Sequence, residues 1–414
     1  MRITLFATNL PCMRPKSIIA LMTFTFLLMM TSVPAKAATT TTTTIATTLQ
    51  SPEACVPYSG SPVLPQSPFP GGNTTERASV MLNSSTYYMW YSVGVGEYWA
   101  IGFATSANGF NWTPHPSPVL QHGPNGTWDS GGVYSPTVVW NGSYYLMYFT
   151  GVANSVSSAS IGVAFSKDMI HWQEYSENPI LVPGPGAYDS YYIRSGTVLY
   201  SGDAYQMWYT GAPSGNSSFD VAIDYATSAD GLHWTKYAEN PVMVDIGGAG
   251  SPAVVKVGET YVMAFNWYYI TYATSSDGVH WSWDNLELLN GTGIPSNWEG
   301  TVKDPSIVIT NSTMMLWYSG YGFWVPPQPP APNPAVGLAY CSLVLVPTTT
   351  FVTTTVTSVV TNTINIIKTV TSVSSTTQMV SSPELPFFEA VAGVFAVLLV
   401  ISLAVLYRMT KRHG

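Results

Sequence analysis

One pattern of strands and turns is written five times in this chain. "RASVMLNSSTYYMWYS" (77–92), "SPTVVWNGSYYLMYFTG" (135–151), "SGTVLYSGDAYQMWYTG" (195–211), "SPAVVKVGETYVMAFNW" (251–267) and "DPSIVITNSTMMLWYSG" (304–320) follow one plan. Their anchor residues Ser79, Thr137, Thr197, Ala253 and Ser306 are 58, 60, 56 and 53 residues apart. Each copy is followed by a short apolar strand: "IGFATS", "IGVAFS", "IDYATS", "ITYATS" and "VGLAYCS". In four copies a turn phrase comes next: "SANGFNW", "SKDMIHW", "SADGLHW" or "SSDGVHW". A fourth strand then ends in "SPVL", "NPIL" or "NPVM", or in "LELL" after Trp281.

Alternating apolar residues, rich in β-branched and aromatic side chains and broken by Asn-Gly, Ser-Gly and Asp-Gly, read as strands joined by tight turns. Four strands repeated at such a period predict the blades of a propeller. No helical periodicity intervenes, which argues against a βαβ fold. The turn phrase is the hairpin between the third and fourth strands. Its Asp or Asn with Gly supplies the positive backbone angles, and Trp112, Trp172, Trp234 and Trp281 are expected to pack between neighbouring blades. The expected fold is therefore all-β, a five-bladed β-propeller.

The fifth copy lacks its fourth strand, and "CVPYSGSPVL" (55–64) carries the same "SPVL" as residues 117–120. The N-terminal strand should thus complete the last blade and close the ring, which removes an open edge. Cys341 aligns with Ser106 at the end of a third strand, and Cys55 with Asn111 just before a fourth. Those positions face each other across a normal hairpin, so a Cys55–Cys341 disulfide is predicted.

Residues 1–37 read as a signal peptide: Arg2, Arg14 and Lys16 precede an apolar run from Ile18 to Met30, and Ala35-Lys36-Ala37 offers a cleavage point. Residues 38–54 are a threonine-rich linker, 55–345 the propeller, and 346–384 a Thr/Ser-rich stalk whose Val and Ile leave room for extended structure. Residues 385–407 have the length and apolarity of a transmembrane helix, and the basic tail 408–414 should stay cytoplasmic. The expected location is the cell membrane, single-pass, with the propeller outside. Only 9% of residues are charged, against about 25% in ordinary soluble domains. Sequons at Asn73, Asn83, Asn111, Asn125, Asn141, Asn216, Asn290 and Asn311 fit a sugar-coated exported surface. A net charge of −8 argues against a nucleic-acid partner.

Five such blades, with "SPTVV" and "DPSIV" at inner-strand starts and "WDSGGVYSP" ahead of one of them, resemble the arabinanase, levansucrase and invertase superfamily of five-bladed glycosidases. The resemblance covers roughly 55–345. It implies carboxylates projecting into a central channel from different inner strands, since glycosidic cleavage takes one acid for the leaving oxygen and one carboxylate to activate water or attack the sugar. The transfer is imperfect. Thr137 stands where arabinanase-type relatives carry an acid after the second blade's proline, and the next slots hold Thr197 and Ala253.

The candidate catalytic acids are Asp304, Glu76, Glu299, Asp189 and Asp129. Asp129, Asp189 and Asp245 each lie eight residues before their anchor and Glu299 seven, a regularity that favours a structural role. Asp304, Glu76 and Arg194 are single occurrences and fit a site better. Asp224 also breaks its repeat. Arg77, Tyr134, Arg194, Lys303 and Trp298 are the candidate substrate-binding residues; Arg194 and Lys303 could equally neutralise Asp189 and Asp304. His171, His233 and His280 sit on separate outer strands and read as structural. No cofactor is required, with calcium in the channel left open. The functional expectation is a cell-surface, glycoside hydrolase-like protein whose partner is a glycan. The alternative is a non-catalytic sugar-binding, adhesion or surface-layer propeller.

Overall fold

The computed structural model describes residues 38–49, 52–64, 69, 72–154, 158–184, 188–213, 221–244, 247–283, 285–294, 297–310, 313–322, 333–343, 345–358 and 366–373. All regular structure within them is β-strand. The chain divides into two compact units: Ala46–Pro347, and Met1–Ile45 with Thr348–Gly414.

In the larger unit the repeat becomes antiparallel four-stranded modules. The first runs Gly72–Asn83, Thr86–Val95, Tyr98–Ser106 and Thr113–Pro114; the second Gly132–Trp140, Tyr145–Val152, Ala159–Ser166 and Gln173–Glu174. The third comprises Tyr192–Tyr200, Tyr205–Ala212, Ala222–Ser228 and Thr235–Lys236, the fourth Gly250–Val257, Thr260–Asn266, Ile270–Ser275 and Glu287–Leu289. The fifth takes Thr301–Thr310, Thr313–Tyr321 and Ala335–Ser342 from the end of the repeat and Val56–Pro57 from its beginning. A lone parallel bridge, Trp99 to Gly132, joins the first two modules into one sheet. The first strands pack on one another in order, and that of the fifth packs on that of the first. The fold is all-β and propeller-like.

Two hydrogen bonds recur at the module junctions. Buried side chains on second strands reach the next module's turn phrase: Trp90 Nε1 to Met169 O (3.4 Å), Tyr148 Oη to Gly231 O (3.1 Å), Trp208 Nε1 to Gly278 O (2.7 Å) and Trp317 Nε1 to Gly109 O (2.9 Å). The phrase's tryptophans meet the same side chains edge-on, Trp172 against Trp90, Trp234 against Tyr148, Trp281 against Trp208 and Trp112 against Trp317. They pack between modules, as the sequence predicts. The turn needs a left-handed residue, supplied by Gly109, Gly231 and Gly278; in the copy that lacks glycine, Met169 adopts it at φ 70° with its side chain buried.

The fifth module has no such hairpin. Ala264 occupies the fourth module's equivalent of Trp90, and the Cys55–Cys341 disulfide shares a core cluster with it. The predicted bridge is present.

The second recurring bond caps backbone amides at the start of each inner strand. Ser92, Thr150, Thr210, Asn266 and Ser319 accept from the amides of Ser135, Ser195, Ser251, Asp304 and Arg77, at 2.8–2.9 Å. The last of these runs from the fifth module to the first. A buried amide left without its acceptor costs about 1–3 kcal/mol. Thr150→Val should therefore lower unfolding free energy by about that amount while Thr150→Ser stays near wild type; equal denaturant midpoints for the two variants would refute the capping role.

In the smaller unit the threonine-rich runs are not structureless. Ala38–Leu49, Leu345–Ser358 and Ile366–Val373 form a three-stranded sheet, consistent with the strand preference of β-branched Thr, Val and Ile. Strand thus runs through 38–49 of the expected linker 38–54. No helix among the described residues is long and apolar enough to cross a membrane. The expected signal 1–37, span 385–407 and tail 408–414 lie outside the described residues, as do Asn216, Asn311 and Asp245.

Candidate active site

Each inner strand carries a register shift near its start: between Glu76 and Ser79, Tyr134 and Thr137, Arg194 and Thr197, Gly250 and Ala253, and Lys303 and Ser306. A bulge kinks the strand and re-aims a side chain. The re-aimed residues are Arg77, Ser135, Ser195, Ser251 and Asp304. Four of them hold positive φ without being glycine: Arg77 at 51°, Ser135 at 49°, Ser251 at 50° and Asp304 at 52°. Strain of this kind persists where the surroundings over-determine it, and here the amide caps described above do so. All five residues line one central pocket of about 40 Å3. Ala78, Pro136, Gly196, Pro252 and Pro305 lie between it and a second cavity of about 170 Å3, which Thr137 and Thr197 line.

Asp304 is buried. Its Oδ1 accepts from Ser251 Oγ at 2.7 Å and its Oδ2 from Tyr321 Oη at 2.6 Å. Arg77 Nε lies 3.8 Å from Oδ1, close enough for an ion pair but not a hydrogen bond. Arg194 Nη2 donates to Ser251 Oγ at 3.3 Å. Burial alone would push the carboxyl up. The charges of Arg77 and Arg194, with the bonds from Tyr321 and Ser251, outweigh it and lower the pKa to about 2. Burial, followed by the Asp304 charge, pushes the Tyr321 phenol upward. Arg77 also binds Glu76 and lies 5.6 Å over the Tyr134 ring. One guanidinium thus spans two carboxylates.

The structure therefore brings Asp304, Glu76, Arg77, Tyr134 and Arg194 together. It places the regular acids elsewhere. Asp129 accepts from the Gly123 amide (3.1 Å) and Thr127 Oγ1 (2.7 Å). Asp189 accepts from Lys236 Nζ (2.5 Å) and Tyr209 Oη (3.2 Å), so its cation is Lys236 and not Arg194. Glu299 accepts from Tyr318 Oη. None of the three lines the central pocket; Asp129 braces its own loop, while Asp189 and Glu299 tie their loops to the modules they enter. Trp298 stacks on Tyr318 over Gly337, where a Cβ would come within 2.7 Å of its ring, so it is a packing residue. Lys303 is exposed and forms no ion pair among the described residues. His171, His233 and His280 each bond an Asp of their own turn at 2.7–2.8 Å.

The three serines went unnoticed in the sequence, although the slot two residues before each anchor reads Arg, Ser, Ser, Ser, Asp. The donor set does not fit calcium: Arg77 faces the one carboxylate among those five slots. No group of three metal-ligating His, Cys, Asp or Glu side chains occurs among the described residues.

Asp224 stands opposite Tyr209, at the position held in other modules by Gly102, Gly162 and Gly337. Burial first, then the Asp189 charge, push its carboxyl up to about 7, with Lys236 opposing. Between an unfolded value near 4 and this raised value the folded chain holds the extra proton, so stability falls as pH rises. Asp224→Asn removes the effect. Its stability relative to wild type should rise by roughly 2–4 kcal/mol from pH 5 to pH 8; an unchanged difference in urea unfolding at the two pH values would contradict this.

Residues 85–200 match the model of glycoside hydrolase family 130, described as β-1,4-mannooligosaccharide phosphorylase. An uncharacterised protein of Mycobacterium tuberculosis is 29% identical over 224 residues, 50% of this chain and 73% of that protein. A solved glycoside hydrolase superimposes with a TM-score of 0.56 at 20% identity, covering 67% of this chain and 90% of its own. A β-1,2-mannobiose phosphorylase from Listeria innocua, in complex with β-1,2-mannobiose, gives 0.53 at 12% identity over 70% and 96%. At these identities the structural likeness is one of fold, the fold of propeller-like glycoside hydrolases. The sequence-based leaning towards a glycoside hydrolase-like enzyme agrees with the family match. The family whose model matches is 130, whose relatives share the propeller-like glycosidase fold expected from the sequence.

Proposed function

We propose that this chain is a surface-anchored enzyme that cleaves a β-mannoside in the central channel of a five-bladed β-propeller, with Asp304 as the carboxylate that works on the sugar. The observation that carries the reading is the Asp304 carboxylate itself: buried, kept ionised, and fixed by Ser251, Tyr321 and Arg77 where five strands converge. A carboxylate with so low a pKa serves as base or nucleophile, and the proton for the leaving oxygen comes from another group. Glu76, on the other side of Arg77, is the second carboxylate at this end. The substrate class rests on the family description and on the sugar bound by the Listeria innocua protein. Export and anchoring rest on the basic-then-apolar start, the apolar run before the basic tail, and a disulfide that suits an oxidising compartment.

The test is sugar release from β-1,4-mannooligosaccharides and β-1,2-mannobiose, with and without inorganic phosphate. Release only with phosphate marks a phosphorylase, release without it a hydrolase. Binding without release favours a second reading, a glycan-binding propeller. One observation supports that reading: three of the five equivalent slots hold serine. No binding and no release would refute both.

A further inference from the structure

We propose that the floor of the central pocket is a socket for one alcohol group of the sugar, received by Ser135, Ser195 and Arg77, and that the two serines set which sugar is accepted. The inference rests on the glycan-active reading above and names what that site recognises.

Three buried polar atoms lining this pocket have no hydrogen-bond partner among the described residues: Ser135 Oγ, Ser195 Oγ and Arg77 Nε. The two serines are 6% and 4% exposed. Unpaired buried polar atoms are costly and uncommon, and three of them on residues that line one pocket point to a ligand atom that pairs with them. The Ser251 hydroxyl, by contrast, is already committed to Asp304 and Arg194.

The chemistry of the three atoms restricts that ligand. Arg77 Nε–H can only donate, so the partner atom must accept. A bare cation fails this condition. An anion would face Asp304, whose oxygens point to Ser251 and Tyr321 and whose charge remains on the wall. Glu76 and Asp304 formally balance Arg77 and Arg194, so the cluster calls for a neutral group. An alcohol oxygen accepts from Arg77 Nε–H and one serine and donates to the other, which satisfies all three.

Size agrees. The pocket of about 40 Å3 exceeds the ~10–15 Å3 that one water needs, yet is too small for a sugar ring. It takes a hydroxyl or hydroxymethyl arm of a ring seated above it. The sugar's arm supplies there the bonds that a water of that size would otherwise make.

The test uses the full-length chain, wild type and the Ser135→Ala/Ser195→Ala double variant. Calorimetry measures the binding of β-1,4-mannobiose, β-1,2-mannobiose and the complete set of their monodeoxy derivatives. Wild type should bind a parent sugar roughly 100-fold more tightly than the one derivative that lacks the socketed hydroxyl. The double variant should lose that preference, to under about 5-fold, with an unchanged unfolding temperature because neither hydroxyl holds the fold. Wild type that binds every derivative like its parent overturns the socket whatever the variant does. So does a double variant that keeps the wild-type preference. Wild type that binds neither disaccharide overturns the mannoside reading and the socket together, so the two failures are distinguishable.

Discussion

Asp304→Asn should cut sugar release by about three orders of magnitude or more, at the upper end of what a positioned acid–base group contributes. The reason lies in what asparagine cannot replace. The carboxylate accepts from Ser251 and Tyr321 through two oxygens and faces Arg77 with a full charge. Asparagine offers one acceptor and no charge, so Arg77 keeps only Glu76 as its counter-ion. Removing one partner of a buried charge pair also destabilises, by about 3–5 kcal/mol, so rates must be compared below the variant's unfolding transition. The pH dependence is a second check. The Asp304 pKa is lowered, so its charged interactions are complete above the unfolded value near 4 and are lost as pH falls through about 2. Protonation of Asp304 therefore puts no acidic limb on kcat/KM between pH 4 and 7. A limb in that range that vanishes in Asp304→Asn would contradict the lowered pKa of this carboxylate, and a variant within tenfold of wild type would mean that it is not the reacting one.

The module plan was legible in the sequence because it is enforced by short-range chemistry. Alternation, Asn-Gly and Asp-Gly turns, and a tryptophan at a fixed offset each leave a mark in a few adjacent residues. The disulfide and the strand borrowed from residues 55–64 were legible too, because the fifth copy is visibly short by one strand. The site was legible only in part. Asp304, Glu76 and Arg194 stood out as breaks in the repeat, but Ser135, Ser195 and Ser251 did not, since serine before Pro or Gly reads as ordinary strand entry. Their importance comes from the bulge and its positive φ, which turn them to the centre, and a bulge has no dependable signature in a single chain. Asp129, Asp189 and Glu299 show the converse. Their spacing was plain, but whether a regular acid faces a sugar or a loop amide depends on partners such as Lys236 and Tyr318 that arrive from other strands. The strand through Thr39–Thr48 was not legible for a related reason: composition alone gives no partner, and strand Leu345–Ser358 lies some 300 residues away in sequence.

Replacing both Cys55 and Cys341 by serine should lower the unfolding free energy by about 5 kcal/mol, on the chain-entropy account of a cross-link that closes a very long loop. The bridge spans 286 residues, nearly the whole repeat. It also sits at the one junction without a turn phrase. At the other four, a buried Trp or Tyr of one module bonds the hairpin of the next; between the fourth and fifth, Ala264 makes no such bond and the cystine fills the core instead. Beside it, the backbone pairings of Val56 and Pro57, the bonds from Cys55 N to Leu288 O (2.8 Å) and Tyr58 N to Leu338 O (2.8 Å), the Ser61–Leu338 pair and the bridge at Leu64 hold this strand in place. Without the covalent link the strand can leave while the first three strands of the fifth module stay, exposing the Ala335–Ser342 edge. Loss should therefore appear first as exchange of amides in residues 55–64, at temperatures where the Trp90 and Trp208 junctions are still protected. For a chain of this size the midpoint should fall by roughly 10 °C or more. A reductant-treated or doubly substituted protein that unfolds within about 2 °C of wild type, with residues 55–64 exchanging no faster than the rest, would show that strand pairing and packing close the ring unaided.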